Sequence, residues 1–149
     1  MAQNSSPLDA IPATYLGTLS AETNTVERPV IKSGPFGTRV VATVSGASFV
    51  GPKINATMPE GTAAGDWLTI RDDGSMALDV RLCVRTDDGA DIYVSYYGVG
   101  TTTDGVAQIR TAPRFETGDE RYAWLNNVLG VGLGKRTETG VQYDVYTID

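Results

Sequence analysis

Short runs of alternating apolar and polar residues make up most of the chain, and glycine, proline and Asp-Gly steps separate them. The clearest runs are Asp66–Arg71 and Met76–Arg85, joined across residues 72–75, and Thr86-Asp87-Asp88-Gly89 then leads into a third run at Asp91–Gly98. Asp-Gly supplies the positive φ that tight hairpins need, while strict alternation sets the strand register. The pattern therefore predicts an antiparallel meander.

Further strands are predicted on both sides of this meander from β-branched and alternating segments. They are Tyr15–Ala21, Arg39–Val44, Phe49–Met58 with a break at Gly51-Pro52, Gln108–Ala112 and Val141–Ile148, the last reached through a hairpin at Thr137–Gly140. Thr101–Val106 is predicted to be a polar loop, and Pro113–Tyr122 to be irregular or a single helical turn. No segment keeps a helical period over three turns.

We therefore predict an all-β fold with little helix: a single antiparallel β-barrel of about nine or ten strands. A flexible N-terminal arm is expected over residues 1–12, and one barrel domain over residues 13–149. Closure is favoured because it removes exposed strand edges, and a two-sheet sandwich is the alternative.

Charge and hydropathy narrow the possible partners. The net charge of −6 is unfavourable for a nucleic-acid partner and for an anionic membrane surface. No apolar stretch approaches the roughly 18 residues of a membrane-spanning helix. The first residues show neither the basic nor the apolar region of a secretory signal, so the cytoplasm is the expected compartment. The expected partner is a small-molecule ligand.

Histidine is absent from all 149 residues, and the sequence has one cysteine. Nucleophilic machinery of the Ser-His or Cys-His kind is therefore excluded, together with histidine-ligated zinc, copper or iron. We expect no metal and no cofactor. Acid–base chemistry would have to come from Asp, Glu, Tyr, Lys or a bound water.

The run from Met76 to Arg85 has one wholly apolar face, which must be core, and an opposite face that carries Asp79 and Arg81. In one interpretation this charged face is solvated and the ion pair contributes at most about 1 kcal/mol. In the other it faces the inside of a barrel, where a desolvated Arg-carboxylate pair would orient a substrate and shift pKa values. Spacing alone favours the first interpretation.

Aromatic residues are concentrated near these strands. In the third run, Tyr93 and Tyr97 alternate with Tyr96, so both faces are partly aromatic, and Trp67 and Trp124 complete the set. Such side chains more often pack in a core than line a ligand cavity.

An ordered series of short motifs resembles a bacterial and fungal family, the domain of unknown function 3237, also called uncharacterised protein family 0311. The motifs, spread between about Tyr15 and Tyr146, are Gly65-Asp66-Trp67, Arg71, Asp73-Gly74, Leu78-Asp79-Val80-Arg81, Arg85-Thr86-Asp87-Asp88-Gly89-Ala90, Ile92-Tyr93-Val94, Pro113-Arg114-Phe115-Glu116 and Tyr122-Ala123-Trp124-Leu125-Asn126. One stretch, Ser45–Pro52, departs from the family's glycine-rich pattern, with Val50 where a polar residue is expected.

The resemblance implies a calycin-like or lipocalin-like barrel with a central cavity, often forming a homo-oligomer (a dimer or higher). It implies little chemistry beyond a hint of cofactor-free lyase, isomerase or cyclase activity on aromatic or polyketide-like compounds. The polar and aromatic residues that match the family's motifs are Asp66, Trp67, Arg71, Asp79, Arg81, Glu116, Trp124 and Asn126.

Three hypotheses follow. A cofactor-independent enzyme would use Asp66 or Asp79 as its base and Arg81 to hold an oxyanion. Its substrate-binding residues would be Trp67, Arg71, Tyr97, Glu116, Tyr122, Trp124 and Asn126. A non-catalytic binding or carrier barrel needs the same cavity without a perturbed carboxylate, so an Asp and an Arg converging on an apolar interior would favour the enzyme. In the third, the charged motif residues only tie strands and turns together.

Overall fold

The strands of the barrel are close to those that the alternation predicts. The computed structural model describes residues 6–23 and 27–149. Its strands, in chain order, are β1 (Ala13–Glu22), β2 (Val30–Gly34), β3 (Gly37–Thr43), β4 (Gly46–Gly51), β5 (Ile54–Thr57), β6 (Gly65–Ile70), β7 (Met76–Thr86), β8 (Asp91–Thr103), β9 (Val106–Glu116), β10 (Gly130–Arg136) and β11 (Gly140–Ile148). A 3₁₀ helix, Glu120–Asn127, is the one helical segment among these residues.

Eight of these strands close into an antiparallel barrel. Following the hydrogen bonds around the ring, the order is β7, β5, β4, β1, β11, β10, β9 and β8, and β8 pairs again with β7. The predicted closed all-β fold is therefore confirmed, although the ring has eight strands and not the nine or ten that were expected. The other three strands extend the sheet, since β6 pairs with the first half of β7 and is followed by β3 and β2.

The largest differences from the predicted boundaries concern β8 and β9. The segment predicted as a loop, Thr101–Val106, is a tight hairpin in which Asp104 and Gly105 both have positive φ, 52° and 76°. The strand predicted to end at Ala112 continues through Pro113 to Glu116. Proline is tolerated there because the pairing of β9 with β10 covers only Ile109 to Thr111, so no partner on that edge needs its missing N–H.

The ends of the barrel differ in packing. At one end the 3₁₀ helix covers the interior and buries Leu125 completely. Beneath it, Phe49 and Phe115 stack with ring centroids 5.5 Å apart. The opposite end, where β7 begins and β10 ends, is less filled and contains the cavity described below.

The predicted flexible arm, residues 1–12, lies partly outside the described residues. Residues 6–12 contain no strand and are exposed. Among the described residues there is no helix with the length and hydropathy needed to cross a bilayer.

Candidate active site

The open end of the barrel contains a narrow, mostly apolar cavity. Its volume is about 60 Å³, and it opens to solvent at one side. The walls are apolar side chains from five strands and one residue between β3 and β4, namely Ala42, Val44, Leu68, Met76, Leu78, Val80, Ile109 and Val141. Five side chains with ionisable groups also line it: Arg28, Asp66, Tyr96, Arg136 and Tyr143. A cavity of this volume holds a few water molecules, so a larger ligand has to extend out of it.

Asp66 faces the interior because it lies on the same side of β6 as Leu68, opposite Ala42 and Val80 of the neighbouring strands. The ladder between β6 and β7 is interrupted just beyond it, since the residue pairs 67–79 and 68–78 are missing. The freed Asp79 backbone N–H donates to Oδ1 of Asp66 at 3.1 Å. The other carboxylate oxygen makes no hydrogen bond with a described residue. The backbone thus fixes the carboxylate while leaving one oxygen for a ligand.

Burial raises the pKa of Asp66 to about 6, because an apolar environment penalises the charged form. The hydrogen bond from the Asp79 N–H and the nearby charge of Arg28 act in the opposite direction, and the charge of Asp79 adds to the increase. A carboxyl group with a pKa this close to neutrality can both accept and return a proton.

The raised pKa predicts a specific pH dependence of stability. Between about pH 4 and pH 6 folded Asp66 keeps a proton that the unfolded chain has lost, so its contribution to stability falls as pH rises and then stays constant. The change is roughly 3 kcal/mol for a shift of this size. The Asp66→Asn variant lacks it, so its unfolding free energy relative to the unmodified protein should increase by that amount from pH 4 to pH 7. Urea unfolding at both pH values measures this, and an unchanged difference would contradict the shift.

Two tyrosines lie beside Asp66 at core positions. Tyr96 of β8 and Tyr143 of β11 are 3% and 1% exposed, and their rings meet edge to face with centroids 5.2 Å apart. Burial raises the pKa of both, and the charge of Asp66 adds to the increase. The Tyr143 hydroxyl interacts with the Tyr96 hydroxyl, but it makes no hydrogen bond of good geometry, the one buried side-chain polar atom of the described residues in this state. A buried hydroxyl in this state is available to a ligand oxygen.

Glycine in β10 makes room for the Tyr143 ring. A Cβ atom at Gly134 would overlap two ring carbons of Tyr143. The alternating glycines of Gly130-Val131-Gly132-Leu133-Gly134 therefore present bare backbone on the inner face of the barrel, and the aromatic ring of β11 packs against it.

Asp79 and Arg81 lie on the outer face of the barrel. The apolar face of β7, which includes Val80, fills the interior, so the alternate positions must point outward. Arg81 Nη2 is 3.6 Å from Asp79 Oδ2, and Arg81 Cζ is 5.1 Å from the centre of the Trp67 ring. The hypothesis that this Asp–Arg pair shares an interior hollow is wrong, and Trp67, expected to clamp a substrate, belongs to the same outer cluster.

An Asp79→Asn variant should therefore keep full turnover, since its carboxylate is on the far side of the β7 backbone from Asp66. Its stability should change by less than about 1 kcal/mol, because the ion pair with Arg81 is partly exposed. Steady-state kinetics and urea unfolding measure both quantities. A loss of turnover as large as that of an Asp66 variant would place the chemistry on the outer face instead.

Three more of the predicted binding residues are exposed and outside the cavity. Arg71 lies in the β6–β7 turn, with Nη1 3.5 Å from the Ser75 hydroxyl. Tyr97 is on the outer face of β8, 72% exposed, and Glu116 ends β9 on the same outer side.

The remaining three lie around the 3₁₀ helix, at the end of the barrel opposite the cavity. The Tyr122 hydroxyl donates to both carboxylate oxygens of Asp88, at 2.9 and 3.0 Å. The Asn126 side chain bonds the backbone N–H and carbonyl of Thr117 at 2.8 and 3.0 Å. These two tie the helix to the barrel. Trp124 lies under the Lys53 ammonium, 5.5 Å from the ring centre, in a separate surface groove.

Of the residues predicted for the site, the structure thus brings only Asp66 to the cavity. Sequence reasoning missed Arg28, Tyr96, Arg136 and Tyr143. The two tyrosines had a readable signal, because each shares a strand face with buried valines, so its hydroxyl enters the core. The arginines had none, since they belong to a loop and a strand end. Among the described residues no three acidic, histidine or cysteine side chains come together as metal ligands would.

The chain is similar to known proteins in sequence and in structure. The family model described as "Protein of unknown function (DUF3237)" matches residues 13–148. A UPF0311 protein of Rhodopseudomonas palustris is 32% identical over 136 residues, covering 80% of this chain and 87% of that protein. A crystal structure of a β-barrel-like protein from Acinetobacter baumannii superposes with a TM-score of 0.87 at 23% identity, covering 99% of this chain and 100% of the other.

Two further similar proteins come from Penicillium herquei. Its hydroalkoxylation enzyme phnH is 33% identical over 94 residues, which are 63% of this chain and 56% of that protein. A crystal structure of an enzyme from the same fungus has a TM-score of 0.73 at 20% identity, covering 97% of this chain and 99% of the other. At such identities the structural likeness shows the fold alone.

Proposed function

The chain belongs to the family described as protein of unknown function (DUF3237), and from that premise we propose that it is a cofactor-independent enzyme in which Asp66 moves a proton inside the barrel cavity. The reaction class is the addition of a hydroxyl group across an alkene that a carbonyl group activates. When both groups belong to one molecule, the reaction is a cyclising isomerisation, and its reverse is a lyase-type elimination.

The proton and electron movements balance without a further reactant. The Asp66 carboxylate takes the proton of the attacking hydroxyl, whose oxygen forms a bond to the β-carbon of the alkene. The alkene electrons move to the carbonyl oxygen, and the Tyr143 hydroxyl donates a hydrogen bond to the enolate oxygen that develops. Asp66 then returns its proton to the α-carbon. Nothing is oxidised or reduced, and the carboxylate is regenerated.

The observation that carries the proposal is a carboxyl group with a pKa of about 6 in a mostly apolar cavity, beside a buried tyrosine hydroxyl that makes no hydrogen bond of good geometry. Perturbed carboxyl groups in clefts are typical of acid–base sites. A carrier barrel has no need of such a group, and the convergence of Asp66 with Arg28 and Arg136 on one opening favours catalysis over carriage.

The fungal relative supports the same reaction class. Its name describes hydroalkoxylation, which is the addition of an O–H group across a carbon–carbon double bond. The aligned part covers just over half of that protein, so its substrate is not transferred to this chain.

The test is conversion of phenols and alcohols that carry an activated alkene, beginning with 2′-hydroxychalcone. This compound cyclises to flavanone slowly and without enantiomeric preference in buffer. The enzyme should accelerate the cyclisation and give an enantiomeric excess, which chiral chromatography measures. In deuterium oxide the α-carbon should gain one deuterium from the exchangeable pool.

A result without acceleration or enantiomeric excess for any compound of the panel contradicts the proposal. Stoichiometric binding without turnover would instead identify a carrier barrel.

A further inference from the structure

Two arginines at the mouth of the cavity make no close ion pair with a carboxylate of the described residues, although Arg28 interacts with Asp66 over a longer distance. Arg28 and Arg136 share with Arg39, Arg71, Arg110 and Arg114 the lack of an ion pair of 4 Å or less to a described carboxylate, and they differ from those four in lining the same cavity. Arg136 Nη2 reaches only the Met76 sulfur, at 3.5 Å. The chain has 18 acidic and 12 basic residues, so carboxylates are not scarce. Two unpaired guanidinium groups therefore remain at a single opening.

The size of the cavity indicates what these groups contact. A cavity of about 60 Å³ is too small for a whole organic substrate, so part of the substrate has to extend out of it, past lining residues that include the two arginines. Guanidinium groups recognise carboxylates and other planar oxyanions through paired N–H donors.

We propose that the substrate of this site is an organic anion, a carboxylate or an acidic enol, whose charged oxygens lie at Arg28 and Arg136 while its reacting carbons lie beside Asp66. This inference rests on the proposed function and names the substrate class. The arginines act as binding and positioning residues, and they neutralise a charge that would otherwise be repelled by Asp66 and by the net charge of −6.

Binding of an anion should depend on the protonation of Asp66. The charged and titratable groups around Asp66 come from five different segments; they are Arg28, Asp79, Tyr96, Arg136 and Tyr143. Neither tyrosine ionises near neutral pH, because burial raises the pKa of both. An anion nearby disfavours the Asp66 carboxylate further, so affinity should decrease as pH rises from 5 to 7.

The test compares benzoate with benzamide, two ligands of similar shape that differ in charge. Dissociation constants are measured on the full-length protein by NMR titration. At pH 5 benzoate should bind about tenfold more tightly than benzamide, the selectivity of one favourable charge-assisted contact. Arg28→Gln and Arg136→Gln should each reduce this preference, and Asp66→Asn should strengthen benzoate binding at pH 7 and flatten its pH dependence.

The matched control is Arg114→Gln, which makes the same charge change on the outer face of β9, where no carboxylate pairs with Arg114. It should leave the preference unchanged. Equal binding of benzoate and benzamide, or an equal effect of the Arg114 variant, would overturn the proposed substrate class. Turnover of the chalcone without a preference for benzoate would contradict the substrate class and still support the proposed reaction. A preference for benzoate without any turnover would contradict the reaction and still support an anion-binding site.

Discussion

Asp66→Asn is expected to reduce the turnover of the alkene substrate by about 10²- to 10⁴-fold, the contribution of a positioned acid or base. Asparagine retains an oxygen that can accept the Asp79 N–H, so the interrupted β6–β7 ladder keeps its side-chain bridge. The amide cannot take a proton from the attacking hydroxyl. The loss should therefore appear in kcat, with little change in the binding of a neutral substrate.

The pH profile of the unmodified enzyme provides a second signature of the same residue. The carboxylate is the form that starts the reaction, so kcat/KM should fall as pH decreases through about 6, the pKa of Asp66 in the free enzyme. A residue with an ordinary aspartate pKa would keep its activity down to about pH 4. Initial rates between pH 4 and pH 8 distinguish the two.

The control is Asp79→Asn, the same chemical change one strand away and on the opposite face of the sheet. Retained turnover in Asp66→Asn, with circular dichroism showing an intact fold, would remove Asp66 as the base and with it the proposed mechanism. Equal losses in both variants would point to a general effect of charge.

Phe49→Ala is expected to cost about 3–5 kcal/mol of stability, the largest loss that one substitution in this core should produce. The Phe49 ring is completely buried and stacks on Phe115, with the ring planes 4° from parallel. Gly17 is small so that this ring can fit, since a Cβ atom there would lie 2.8 Å from a ring carbon. Truncation leaves a void beneath the 3₁₀ helix that the closed barrel cannot collapse to fill.

Urea unfolding measures this loss, and two variants serve as controls. Phe49→Leu retains most of the buried volume and should lose less, while Val50→Ala changes the adjacent residue, which is 49% exposed, and should be nearly neutral. A loss below about 1 kcal/mol for Phe49→Ala would mean that the closed end is loosely packed. The cavity at the opposite end, and the raised pKa of Asp66, should be unaffected.

Much of the strand pattern could be predicted because its signals are local. Alternation and Asp-Gly turns located β6, β7 and the start of β8 within a residue or two. The prediction missed the hairpin at Asp104 because the surrounding threonines are exposed on both faces and show no alternation. It also stopped β9 at Pro113, since the chain alone does not reveal which strand edge needs an N–H donor.

The candidate site was only partly predictable. Asp66 shares a strand face with Leu68 and Ile70, and that placement is visible in the sequence. The prediction for Asp79 and Arg81 was wrong because it treated the interior of the barrel as a space separate from the hydrophobic core. In an eight-stranded barrel the two are the same space, because the interior is just wide enough for side chains to fill it. The apolar face of β7 occupies that space and forces the charged face outward.

The sequence by itself determined the all-β class, the antiparallel meander, most turns and the family, because each depends on neighbouring residues or on ordered motifs. Only the tertiary structure decided what surrounds Asp66. Its neighbours Arg28, Tyr96, Arg136 and Tyr143 come from positions up to 77 residues away in the sequence and meet only when the pairing of β7 with β8 closes the ring. A shifted pKa arises from burial and from such long-range neighbours, and the periodicity of a strand does not reveal either of them.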